Sequence, residues 1–390
     1  MSEHSRVRLT IGNVAHGGHC VARHEGRAVF VRHTLPGEIV DAVITEGGDD
    51  ARFWRADAVS VVEASPHRVE SVWPQAGPGG VGGGELAHVS LPAQRQWKMQ
   101  VLTEAFERFA NQEFPGSVSP APSDDDAGGL GYRTRVTAVA GDTGRAAMHK
   151  HRSWDALELE AMPLATSAVE RVLLGTRLEP GTRFTVAASS HGEVAVAVDG
   201  QPGTHLTETV HTPGGAVEYR VRAGGFWQVH TQAPQVLVNA VLGHLEGAQR
   251  VLDLYAGAGL FGAAIAAQGL DVTLVEFDRR AAKDAQHNVR AWRTARVIPG
   301  DVRRALASGE LKGFDTVVLD PPRSGAGAKT LDALTALSPR TVVYVACDPV
   351  ALARDVALLR ERGYGLDAAD AYDVFPMTHH VEAVAVFRKD

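Results

Sequence analysis

VLDLYAGAGLFGAAIAAQGLDVTLVEFD, residues 251–278, is the stretch on which the reading of the fold turns. It opens as an apolar run, breaks at glycines, continues through an alanine-rich segment that winds as a helix, and returns to a second apolar run ending in acids. The order is strand, tight turn, helix, strand. Gly257, Gly259 and Gly262 match G-x-G-x-x-G, where missing side chains let the backbone close around a ligand at the mouth of a parallel sheet. The match suits NAD, FAD and S-adenosylmethionine alike. Asp253 stands inside the first strand, where a buried acid costs energy unless it organises the loop or faces a cationic ligand. Glu276 ends the second strand, where a carboxylate can accept both hydroxyls of a ribose.

With 390 residues the chain is expected to form two or three domains with ample core. Two cysteines, Cys20 and Cys347, argue against a disulfide framework and against an all-cysteine metal site within one chain. The sequence holds no apolar run of membrane-spanning length, and MSEHSRVR lacks the apolar core of a signal peptide. A cytoplasmic, membrane-free protein, acting as a monomer, is the expectation. A net charge of −7 gives no global support to nucleic-acid binding, which local basic patches would have to provide.

From Arg6 to Val62 short runs alternate apolar and polar residues between turns, the pattern of a small OB-like β-barrel. His16, His19, Arg23, Arg27, Arg32 and His33 give it a cationic face that could follow a phosphate backbone, or that is merely solvated surface. Cys20 reads as a packed small side chain. Residues 65–84 are rich in proline and glycine and read as linker or loop. The spacing of Trp97, Val101, Leu102, Ala105, Phe106 and Phe109 predicts one amphipathic helix over residues 91–114. Residues 132–221 again alternate, with a helix expected over 161–174, and form a β-rich central domain. Arg133, Arg135, Lys150, His151 and Arg152 are its basic candidates for RNA contact.

The remainder is α/β: VIPGDV, FDTVVLDPPRSGAG, RTVVYVACDPVALARDVALL and DVFPMTHHVEAVAVFRK each pair an apolar run with a helix or turn signal. A doubly wound sheet follows, with ligands at the carboxyl ends of its strands. Three groups land there. Asp301 is placed to approach the base of a nucleoside; Asp320 opens Asp-Pro-Pro, whose prolines stiffen the chain; Cys347 opens Cys-Asp-Pro on the next apolar strand. The neighbouring histidines, His379 and His380, are read as strand residues pointing to opposite faces, a poor pair of metal ligands.

In these motifs the chain resembles the RNA 5-methyluridine (uracil-C5) methyltransferase family over nearly its whole length. Residues 6–62 resemble the TRAM RNA-binding barrel. FWQVHT, LDLYAGAGLFG, VEFD, LDPPRSGAG, YVACDPVALARD and FPMTHHVEAV resemble the successive motifs of a class I methyltransferase domain with a Rossmann-like sheet. The resemblance implies that Gln228, Tyr255, Glu276 and Asp320 contact S-adenosylmethionine, with Asp301 a further candidate and Asp253, Gly257 and Gly259 shaping the loop. It implies that Cys347 is the nucleophile and Glu382 the base. The domains then divide as 1–64 (barrel), 65–89 with 125–220 (central), and 90–124 with 221–390 (methyltransferase).

Independent chemistry agrees. Carbon 5 of uracil is too poor a nucleophile to take a methyl group until something adds to carbon 6, and a thiolate can add there and later leave. A carboxylate must then remove the proton from carbon 5. The base must also leave its stack to reach such a pocket.

The chain departs from the family pattern twice. Some members hold an iron–sulfur cluster on cysteines; the equivalent positions here are Trp73, Val81, Gly84 and Met162, so no cluster is expected. Asp348 stands where the family usually has asparagine, and an ionised carboxylate there raises the pKa of the adjoining thiol. A TRAM-like barrel leans toward ribosomal RNA, while the missing cluster ligands leave transfer RNA open. A non-catalytic RNA-binding protein that senses the cofactor is the alternative of another class; an NAD oxidoreductase lacks a hydride-transfer constellation.

Overall fold

The computed structural model describes residues 5–48, 50–151, 153–201 and 203–389. Arg152 lies outside the described residues. Strands Arg6–Ala15, His19–His24, Arg27–Arg32, Ile39–Glu46 and Phe53–Glu63 close into a five-stranded barrel, the third and fifth running parallel. Because successive strand residues face opposite sides, Leu9, Ile11, Val29, Val31, Val40 and Cys20 meet inside it. The same apolar cluster takes in Trp97 and Val101, so the barrel is docked onto the following helix.

The cationic face expected on the barrel is largely spent within it. Arg32 binds Asp57 through two hydrogen bonds of 2.8 and 2.6 Å, and His19 and His33 are buried. Arg27 lies over the Trp54 ring and donates to the Gly48 carbonyl. Arg23 and His16 stay exposed.

The helix after the linker spans Leu91–Ala105, widens into one π turn over Phe106–Ala110, and stops at Asn111 in the left-handed region. The apolar spacing runs on to Phe114, but the left-handed Asn111 ends the helix before it. The central sheet orders Val194–Val198, Arg183–Ala188, Arg135–Ala140, Ala146–His149 and Ala156–Glu158. Its helix begins only at Ser167, where the Thr166 hydroxyl accepts the Val169 amide as an N-cap. The hairpin His205–Thr212 with Gly215–Arg222 packs on the C-terminal helices, the Tyr219 hydroxyl donating to the Leu260 carbonyl at 2.8 Å.

The C-terminal sheet has eight strands in the order Ala295–Pro299, Asp271–Glu276, Arg250–Leu254, Thr316–Leu319, Thr341–Ala346, Glu382–Lys389, Tyr364–Asp373 and Val118–Pro120. The first five are parallel, and Glu382–Lys389 runs antiparallel between its neighbours. Helices on both faces explain why Thr341–Ala346 is buried at every position rather than at alternate ones. Strand order reverses between Arg250–Leu254 and Thr316–Leu319, the place where an open α/β sheet leaves a crevice for ligands. No helix among the described residues is long and apolar enough to cross a membrane.

Candidate active site

A cavity of about 1000 Å³ opens at that crevice. The glycine loop forms one wall. Gly257 and Gly259 hold φ of +56° and +88°, and Gly259 starts the buried helix Leu260–Ala267. A β-carbon on Gly262 would come within 2.3 Å of Leu274, so the third glycine is set by helix-to-strand contact. Tyr255 also has a positive φ of 62°, strain that a non-glycine residue carries only where its surroundings hold it.

Glu276 steadies this loop: one carboxylate oxygen accepts the Gly257 amide at 2.8 Å and the other the Asp278 amide at 2.6 Å. Gln228, Tyr255, Gly257, Glu276, Asp320, Cys347 and Glu382 all line the cavity, so it gathers seven of the expected site residues. Gly259, Asp253 and Asp301 do not line it. Asp253 is sealed beneath the loop with no hydrogen-bonding partner at either carboxyl oxygen; the Gly262 amide is the one donor nearby that favours its ionised form. Burial pushes its pKa well above the carboxylate range. Asp301 caps helix Val302–Ala307 by accepting the Arg304 amide at 3.0 Å, close enough to bear on the Tyr255 hydroxyl.

Sheet register assembles the reactive end. Ala346 pairs with Ala383 across antiparallel strands, which sets Cys347 opposite Glu382. Leu319 pairs with Tyr344 across parallel strands, which brings Asp320 alongside. These groups charge one another. Burial, then Glu382 and Asp320, push the Cys347 thiol up to about 12 against the opposing pull of Arg323. Burial and Asp320 hold Glu382 protonated well above its ordinary range, and burial lifts Asp320 to about 7. The site at rest therefore favours a thiol and a protonated Glu382, with Asp320 titrating near neutral pH.

The supports were less visible in the sequence. Asp355, in the second turn of helix Pro349–Arg360, accepts the Ala326 amide at 2.7 Å and the Tyr344 hydroxyl at 2.7 Å. It thereby ties the loop after Asp320 to the helix that begins beside Cys347. Residues 374–381, leading into Glu382, are pinned from three sides. Buried Lys98 binds Asp373 and the Phe375 carbonyl, Gln94 accepts the Met377 amide at 2.7 Å, and the Tyr132 hydroxyl donates to the Pro376 carbonyl at 2.9 Å. A lysine and a glutamine on the buried face of this helix are the signals of this role in the sequence.

His379 and His380 sit in this turn rather than on a strand, and their rings lie side by side at 4.1 Å, which corrects the opposite-face reading. His380 meets Arg323 at 3.4 Å; burial, His379 and Arg323 push it down to about 3, so it accepts from the guanidinium. His379 points to Glu85 at 3.7 Å, an ion-pair distance but beyond a hydrogen bond. Arg135 is no free RNA contact: it is buried and donates to the Gly225 carbonyl at 2.6 Å, while Arg133 does reach the cavity. Trp73, Val81 and Met162 pack in one apolar cluster, and a β-carbon on Gly84 would strike the Trp73 ring at 3.0 Å, so these residues do not fit an iron–sulfur cluster.

Residues 3–58 match the TRAM domain, and residues 234–372 match the family described as conserved hypothetical protein 95. An uncharacterized RNA methyltransferase of Streptomyces avermitilis is 39% identical over 97% of each chain. A 23S rRNA (uracil(1939)-C(5))-methyltransferase of Shewanella baltica is 30% identical over 98% of this chain and 96% of its own. Among solved structures, the Pyrococcus abyssi tRNA (uracil-54, C5)-methyltransferase with S-adenosyl-L-homocysteine superposes with a TM-score of 0.72 at 22% identity, covering 98% and 100% of the two chains. A barrel at the N-terminus, a glycine loop at the switch point and full-length relatives agree: the chain belongs to the S-adenosylmethionine-dependent RNA (uracil-C5) methyltransferase family with an N-terminal TRAM domain.

Proposed function

We propose that the chain methylates carbon 5 of a uridine in structured RNA, with 23S ribosomal RNA the favoured substrate, through a covalent bond between Cys347 and carbon 6. The observation that carries this reading is the register pair Ala346–Ala383, which sets a thiol and a carboxyl facing each other in the cavity walled by the glycine loop. The Shewanella relatives, aligned over nearly their full length, favour ribosomal RNA.

The cavity fits S-adenosylmethionine. Gly257 leaves open space where a side chain would stand, Glu276 ends the second strand, and Gln228, Tyr255 and Asp320 present polar atoms between them. When bound, the cofactor supplies an electrophilic methyl group to carbon 5. Cys347 as thiolate adds to carbon 6, forming a carbon–sulfur bond and moving the ring electrons toward carbon 5. After methylation Glu382 as carboxylate takes the proton from carbon 5, the carbon 5–carbon 6 double bond re-forms, and the thiolate departs. Arg323 faces both groups and favours their ionised forms. Residues 1–64 and the central unit (65–89 with 125–220) would hold the RNA while residues 90–124 with 221–390 carry the chemistry; the packing of hairpin 205–222 supports moving that hairpin into the third unit.

RNA containing 5-fluorouridine tests the scheme, because fluorine cannot leave as a proton and the adduct is trapped. The wild type should form a denaturation-resistant complex with ribosomal RNA fragments, and Cys347→Ala should form none and lose turnover. Turnover by Cys347→Ala rejects the nucleophile; a trapped complex on transfer RNA alone rejects the substrate; no adduct with any RNA favours a cofactor-sensing RNA-binding protein.

A further inference from the structure

The barrel reaches the nucleophile. Its first hairpin, joining Arg6–Ala15 to His19–His24, brings His16 to Asp348, the residue that follows Cys347. His16 Nε2 lies 3.1 Å from one Asp348 oxygen, while the other accepts the Ala351 amide at 2.8 Å and caps helix Pro349–Arg360. The carboxylate is thus divided between helix and barrel. The hairpin fits closely: the His16 ring meets His379 edge-on at 6.2 Å, and a β-carbon on Gly18, whose φ is +77°, would stand 3.1 Å from Glu85 and 3.4 Å from His379.

We propose that His16 is a positioning residue for the Cys347 loop, acting as counter-ion to Asp348 so that a charged helix cap can stand beside a sulfur that must ionise. An asparagine caps a helix about as well as an aspartate and needs no counter-ion. A carboxylate next to the sulfur raises its pKa unless a cation offsets it. Asp348 does push the Cys347 thiol up, behind burial, Glu382 and Asp320. Against its own burial, His16 and the amides of Ala351 and Val350 hold Asp348 ionised below the usual range. The imidazole therefore does two things from another domain: it fixes the carboxylate on the helix and withdraws part of its charge from the sulfur.

The inference rests on Cys347 as nucleophile, but its test reads the thiol itself and not methyl transfer. Alkylation of Cys347 by iodoacetamide is followed by peptide mass spectrometry as a function of pH in the full chain without RNA, for wild type, His16→Ala, Asp348→Asn and the double variant. Cys20 is sealed in the barrel core and serves as an internal check on folding. His16→Ala should slow alkylation about twofold to threefold at about pH 6, where an imidazole ordinarily carries its charge, and by less at about pH 9. Asp348→Asn should react at least as fast as wild type, and the double variant should match Asp348→Asn, a rescue that a purely structural contact does not give. An unchanged rate in His16→Ala, or equal slowing in both backgrounds, overturns the proposal. If the rescue holds while Cys347→Ala still turns over, the charge coupling stands and the nucleophile assignment falls.

Discussion

Replacing Asp320 with asparagine separates what this carboxyl does for folding from what it does for the cofactor. The side chain is held in the cavity floor, and burial lifts it from its ordinary 3.8 to about 7. Keeping it charged in the folded state therefore costs at most about 4 kcal/mol, at 1.36 kcal/mol per pKa unit. A raised carboxyl pKa means that the native state binds the proton more tightly than the unfolded one. The associated stability is fully present below about pH 4 and is lost as the pH climbs to about 7. Roughly 2–3 kcal/mol of that loss falls between pH 5 and pH 8, worth about 5–10 °C in the melting of a unit of this size. Asp320→Asn carries no titrating group, so its melting temperature should gain on the wild type by that amount between the two pH values, both proteins being cofactor-free. Binding should move the other way. A cationic cofactor favours the ionised carboxylate, so wild-type affinity should rise through pH 7 with proton release, measurable by calorimetry in buffers of different ionisation enthalpy. The variant should bind at least about tenfold more weakly, as expected for loss of one charge-assisted contact, and release no proton. Parallel melting curves for the two proteins across pH 5–8 would refute this reasoning.

Gly262→Ala should destabilise the methyltransferase sheet by about 1–2 kcal/mol, the clash with Leu274 outweighing a helix-propensity gain of about 1 kcal/mol, and adding Leu274→Ala should cost less than the two singles sum to; urea unfolding reads both. Lys98→Met should cost about 3–5 kcal/mol because it strands Asp373 in the core, whereas Lys98→Met with Asp373→Leu should recover most of that loss in thermal melts. Cys347 alkylation in the cofactor-free protein should still be rising at pH 10, since burial and two carboxyls hold the thiol near 12; a plateau below pH 8 would contradict the charge arrangement. Arg323→Gln should depress that alkylation further, because the guanidinium is the cation that opposes those carboxyls.

Local sequence carried the parts of the molecule that repeat a local rule. The glycine loop was legible because positive φ and the contact of Gly262 with Leu274 exclude side chains at those positions. The barrel was legible because a two-residue period over five short runs has few other solutions. The pairing of Cys347 with Glu382, 35 positions apart, was available only through motif resemblance, since register between strands is a tertiary fact. Charge was read worst. Arg32, Arg135 and His33 look like surface cations in the sequence, but each is taken up inside the protein, by Asp57, by the Gly225 carbonyl of the neighbouring unit or by burial. Asp301 follows a strand and Asp253 lies within one, as expected, and only three-dimensional packing decides that the first caps a helix while the second is sealed under the loop.

These charges share one logic. At rest the reactive corner holds a thiol pushed up to about 12 beside a protonated Glu382 and an Asp320 lifted to about 7, with Arg323 opposing the shifts of Cys347 and Glu382. A thiolate in that state would be an idle nucleophile open to oxidation, and the site suppresses it. A further unit positive charge about 5 Å away, at an effective dielectric constant of about 20, favours the thiolate by about 3 kcal/mol, or some two pKa units. The sulfonium of the methyl donor carries such a charge. Bound at that distance, such a charge would favour the thiolate of Cys347. Such coupling would raise the thiolate population about 100-fold when the donor is present, without a moving lid. Alkylation of Cys347 by iodoacetamide should accordingly be faster with a positively charged, non-transferring analogue of the donor bound than without it, and the neutral thioether product should not raise the rate. An uncharged product that arms the thiol as well as the sulfonium does would assign the activation to shape and not to charge.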